Sequence, residues 1–125
     1  MKKVLLLWFL LVGFNMAFAQ NQMQKNAIEN FTIQYNNNDF DKIYESFSPK
    51  MQSAYSKKYY FSFFATVKKS RGSLLSVQLV DYSEKAQKSR AQYTGHFEYG
   101  SAIIRITMNA QNQIIGIYIK KENLL

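Results

Sequence analysis

The chain has one histidine, and that is the first place to look for proton transfer. His96 stands between Gly95 and Phe97, with Glu98 two residues on. An imidazole titrates near neutral pH, and residues i and i+2 of a strand share a face. Glu98 is therefore placed to orient His96 as a general base, provided a pocket surrounds them. A lone histidine on a strand is more simply read as a solvent-side residue. Asp39 and Asp41 form a second carboxylate pair, but they stand where a helix is expected to begin. There a short acidic side chain caps backbone N–H groups and faces the positive end of the helix dipole, so capping is the better reading. Asp81 and Glu84 read as loop polarity. One histidine, no cysteine and no clustered acidic loop give no metal set of usual spacing, and no cofactor is expected. Asn30-Phe31-Thr32 fits a glycosylation pattern, but it falls in an expected helix with Phe31 inward and is set aside.

Aromatic side chains are the other resource. Nine tyrosines and ten phenylalanines are many for 125 residues, and a tyrosine joins a large apolar face to one hydrogen-bonding tip. Tyr35, Tyr44, Tyr60, Phe64 and Tyr93, with His96, are the candidate lining of a pocket for an apolar or aromatic small molecule. The competing reading is an ordinary core whose hydroxyls reach the rim.

These residues need a scaffold, and the N-terminus says where it begins. Lys2 and Lys3 precede an apolar run from Val4 to Phe14, and Ala17-Phe18-Ala19 follows with small residues at the cleavage positions. That is the grammar of a secretory signal, and Asn15 interrupts it well short of the about 20 apolar residues a membrane helix needs. Residues 1–19 are expected to be a signal peptide cut after Ala19, and residues 20–125 a single domain, secreted or periplasmic. No cysteine follows the cleavage site to carry a lipid, so no membrane anchor is expected. The charge of +8 falls to +6 once Lys2 and Lys3 leave. The remaining basic residues are scattered as pairs such as Lys57-Lys58 and Lys120-Lys121, without the like-charge block of a polyanion binder. No nucleic-acid partner is expected.

Met23, Ala27, Ile28, Phe31 and Tyr35 fall on one side of a helix from residue 23 to about 37. Asn36-Asn37-Asn38-Asp39 interrupts it, and Phe40, Ile43, Tyr44 and Phe47 define a second helix. Pro49 stops that helix, and Ser48 then caps a short helical turn through Ala54. Ser56 caps a long helix, Lys57 to Arg71, ending at Gly72. Six of the ten residues from Tyr55 to Phe64 are aromatic, an apolar face wider than one contact requires. The period then changes to two. Leu75, Val77 and Leu79 alternate along a first strand, and a loop from Ser83 to Ser89 leads to a second, Arg90 to Glu98. Ser101–Asn109 and Ile114–Lys120 complete an antiparallel meander. Helices followed by strands predict an α+β fold: N-terminal helices packed on one face of a curved four-stranded antiparallel sheet.

This order resembles the nuclear-transport-factor-2-like superfamily, and within it a bacterial exported module of unknown function often found N-terminal to serine hydrolase domains. The resemblance rests on Phe31-Thr32-Ile33-Gln34-Tyr35-Asn36, Asp39-Phe40-Asp41-Lys42-Ile43-Tyr44, Phe47-Ser48-Pro49-Lys50-Met51, the Phe63-Phe64 helix ending at Gly72, and Ile114 to Ile119. It implies a cone-like, cystatin-like fold with a pocket under the helices. The sequence has neither a Gly-x-Ser-x-Gly elbow nor Ser-x-x-Lys, so no hydrolase chemistry is expected of it. The expectation is an exported, non-catalytic binding or interaction module, accessory to a hydrolase or a homodimer through its exposed sheet face. The alternative is a small isomerase or dehydratase using His96 in the cone, since an apolar pocket moves pKa values toward neutral.

Overall fold

The computed structural model describes residues 21–121, so the expected signal peptide, residues 1–19, lies outside them. Helix α1 is described over residues 21–36. Ile28, Phe31 and Tyr35 form its buried stripe, and Gln24, one turn earlier, is buried with them. Gln24 Nε2 donates to Ser89 O, Ser89 Oγ and Ile106 O, which fixes the start of α1 on the sheet. The helix ends in a Schellman turn: Asn38 has φ 60°, Asn38 N–H bonds Tyr35 O, and Asp39 N–H reaches back to Gln34 O. Asparagine tolerates that left-handed position better than most residues.

The sequence expects a helix from Phe40 to Phe47; helix α2 runs only Phe40–Glu45. Phe47 instead makes a parallel bridge to Ile114, with Ile114 N–H bonding Ser46 O and Ser48 N–H bonding Ile114 O. Helix α3 is Pro49–Ala54, capped as expected by Ser48, which accepts from Met51 N–H. Helix α4 is Lys57–Arg71, capped by Ser56 and closed by Gly72 at φ 79°. The expected caps at Asp39 and Asp41 take another form. Asp39 holds the N-cap position of α2 with no side-chain cap bond, and Asp41 pairs with Lys57 at 3.1 Å.

Strands β1 (Leu74–Lys85), β2 (Lys88–Phe97), β3 (Gly100–Met108) and β4 (Ile114–Lys121) form one antiparallel sheet in the order β1-β2-β3-β4. Alternation is regular in the middle pair, where Ala91, Tyr93, Phe97, Ala102, Ile104, Ile106 and Met108 are buried under the helices. Gly95 belongs to the same face, and a Cβ there would stand 2.8 Å from Ile104 Cδ1. The molecule is thus α+β, with its core between helices and one sheet face.

Two expectations fail at β1. Simple alternation puts Leu75, Val77 and Leu79 inward, yet register shifts fall between Leu74 and Ser76 and between Leu79 and Asp81. Each inserts one extra residue and moves the pattern. Leu74 is buried, and Val77 and Tyr82 pack partly on the core, while Leu75, Leu79 and Val80 are 67%, 53% and 59% exposed. The loop expected from Ser83 to Ser89 is a two-residue hairpin. Lys85 pairs with Lys88, and Ala86 and Gln87 take φ 52° and 63°, the conformation of a type I′ turn without its usual Asn-Gly signature.

Candidate binding groove

Ser48 and Ser56 start α3 and α4, and α3 packs against β4, the last strand of the meander. Along β4, Ile117 and Ile119 face inward opposite Ile106 and Ile104 and are only partly buried, because the helices do not cover that side of the sheet. The result is a groove of about 1150 Å³ between α3, the N-terminal half of α4 and β4. Met51, Tyr60, Phe63, Ile117 and Ile119 give it an apolar floor, and Lys50 and Lys88 stand on its walls. Tyr55 and Tyr59 stack at 4.5 Å between centroids along one margin. None of the lining residues is acidic. A second, smaller cavity of about 110 Å³ lies among Asn26, Asn30, Gln34 and Asn112.

Of the six residues the sequence singled out, the structure brings only Tyr60 to the groove. Its hydroxyl donates to Met51 O at 2.6 Å and so braces α3 against α4; burial pushes its pKa up. Tyr44 donates to Gln52 O at 3.4 Å and does not line the groove. Tyr35 and Phe64 are fully buried in the core, and Tyr93 nearly so. These three are corrections to the expected lining: their faces are occupied by protein, Tyr35 stacking on Phe31 and edge-on to Phe97. His96 lies on the exposed sheet face with Ser101 Oγ 3.4 Å from Nδ1 and lines neither cavity. Glu98 does not orient it. The Glu98 carboxylate accepts from Ser73 N–H at 2.7 Å, and that backbone bond holds its pKa below the ordinary value. Among the described residues no three His, Cys, Asp or Glu side chains cluster as a metal set. What the groove can do chemically is bury apolar surface and meet negative charge.

Sequence reasoning missed Met51, Phe63, Lys88 and the β4 isoleucines as groove residues. Two signals pointed to them: the excess of aromatic residues from Tyr55 to Phe64, and the edge position that a meander gives its last strand.

The core tyrosines supply a pH test. Burial pushes Tyr35 and Tyr93 up from 10.0 to about 12. The folded state therefore holds these protons more tightly than the unfolded chain, so the stability this contributes is intact below pH 10 and lost as pH climbs toward 12. The loss is on the order of 2 kcal/mol for each residue. The urea midpoint should be flat up to about pH 9.5 and then fall, and Tyr35→Phe should flatten part of that fall. An unchanged slope in the variant would contradict the assignment.

No curated protein matches the sequence. A solution structure of RPA3114, a SEC-C motif containing protein from Rhodopseudomonas palustris, is similar with a TM-score of 0.56 at 16% identity, over 78% of this chain and 77% of that one. At that identity the likeness is one of fold. The family model described as "Protein of unknown function (DUF3887)" matches residues 28–117, from the buried stripe of α1 to the groove face of β4, and the chain belongs to that family.

Proposed function

We propose that this protein is an exported, non-catalytic binding module whose ligand site is the groove between α3, α4 and β4. The observation that carries the reading is a groove of about 1150 Å³ with an apolar floor, basic walls and no histidine or carboxylate in its lining. Export rests on residues 1–19, and the nuclear-transport-factor-2-like resemblance supports a site under the helices. Service to a separate exported hydrolase, and pairing of two copies through the exposed sheet face, belong to the same reading.

The test is thermal. A ligand present at about 100 times its Kd stabilises the folded state by about 2.7 kcal/mol, which moves Tm by several degrees in a domain of this size. Apolar and amphipathic anions, dodecanoate among them, are expected to raise Tm, and Ile117→Glu to abolish the shift. A shift that survives Ile117→Glu, or no shift with any such anion or with a short apolar-acidic peptide, would refute the groove as the site. Sequencing the N-terminus of protein recovered from the periplasm or medium checks export: Gln20 is the expected first residue.

A further inference from the structure

We infer that the groove takes an extended, acidic polypeptide segment, which docks by adding a strand to the outer edge of β4. This deepens the binding-module reading and rests on it. Three features of β4 point the same way. First, it is an edge strand: the sheet order ends there, and past Ile114 its backbone has no hydrogen-bond partner other than β3 among the described residues. An edge of unpaired N–H and C=O groups is a template for another chain, and edge addition is a recurrent way of binding peptides.

Second, the open edge and the apolar groove coincide. Past the inserted residue at Ile115, Gly116 to Ile119 line the groove in regular register, about 13 Å of strand at ~3.3 Å per residue. A segment laid beside them would satisfy the backbone groups while every second side chain enters the floor formed by Met51, Phe63, Ile117 and Ile119. A strand without a groove would give main-chain bonds and no selectivity. A groove without the strand would take any apolar body.

Third, charge selects the occupant. Lys50 and Lys88 are the charged residues of the lining, both are exposed, and Lys120 and Lys121 continue the strand as it leaves the groove. A second copy of the exported module, with a net charge of +6 once Lys2 and Lys3 are gone, would bring like charge to that rim. A segment whose carboxylates flank the apolar residues that enter the floor brings the complement.

The probe is a fluorescein-labelled heptapeptide of alternating valine and glutamate, compared on the unaltered protein with the same peptide N-methylated at alternate backbone amides. The two have the same charge and nearly the same side chains, so they differ in backbone hydrogen bonding. The parent peptide is expected to bind and to slow hydrogen exchange at amides of Ile115 to Lys121, and the N-methylated form to bind at least tenfold more weakly. Lys50→Glu with Lys88→Glu is expected to weaken the parent about fivefold. Equal binding of both peptides, or protection of β1 amides in place of β4 amides, would overturn strand addition. If dodecanoate occupies the groove and the parent peptide does not bind, strand addition fails while the groove remains the ligand site; if neither binds, both readings fail.

Discussion

Replacing Phe64 with alanine is expected to cost about 3–5 kcal/mol, enough to unfold a substantial fraction of a domain whose whole stability is about 5–15 kcal/mol. Phe64 is fully buried in the middle of α4. Its ring sits 6.0 Å from Phe31 of α1, 5.7 Å from Phe40 of α2 and 5.4 Å from Phe63. The cavity would thus open where three helices meet, and no neighbour can move in without pulling its own helix off the sheet. Urea titration should show the midpoint falling sharply with the slope little changed. Tyr59→Ala, one of the half-exposed stacked pair, should cost under about 1 kcal/mol by the same measurement. Equal costs at the two sites would mean that α4 packs differently.

The second large effect is expected at Asn36. Its side-chain amide behaves like a stretch of strand backbone: Nδ2 donates to Leu74 O at 2.9 Å and Oδ1 accepts from Leu74 N–H at 2.8 Å. Leu74 is the buried first residue of β1, so both of its backbone groups lose a partner in Asn36→Ala, at about 1–3 kcal/mol for each group left unsatisfied. The neighbourhood amplifies the loss. Lys68 Nζ bonds the carbonyls of Tyr35 and Asn36 and Oδ1 of Asn38, and the Tyr35 hydroxyl bonds Gly72 O, so the end of α1 is tied to the end of α4 and the start of the sheet through one cluster. Asn36→Ala should lower stability by about 2–4 kcal/mol and remove hydrogen-exchange protection at the Leu74 amide. Asn36→Asp, which keeps the acceptor and loses the donor, should fall between. A variant with full stability and a protected Leu74 amide would show that the pairing contributes nothing.

Much of the fold was readable because its signals are local. Ser48, Ser56 and Gly72 act within one turn of themselves, and the alternation of β2 and β3 continues unbroken through the core. The misread parts depend on something a local pattern lacks. An extra residue at Leu75 and another near Val80 shift β1 by a position, and a period-two reading cannot see an insertion. Ala86 and Gln87 turn the chain without any residue specialised for positive φ, so their hairpin reads as loop. Phe47 leaves its helix because Ile114, far along the chain, offers a backbone partner.

The site was less legible than the fold. Ranking aromatic residues by chemistry picked Tyr35, Phe64 and Tyr93, whose apolar surfaces the helices need for themselves. A groove is made by what is left uncovered, and which strand stays uncovered follows from how far α3 and α4 extend across the sheet. Tyr60 was found because it belongs to both sets, with its ring in the core and its edge on the groove.

The two bulges of β1 bear on solubility. A long straight margin carrying Leu75, Leu79 and Val80 would invite stacking of one molecule on the next into fibrils. Each inserted residue kinks the strand and breaks the even spacing of its amides, so a neighbouring chain finds no continuous run of partners. The protein therefore keeps these oily side chains on a border of its sheet whose ladder is interrupted twice.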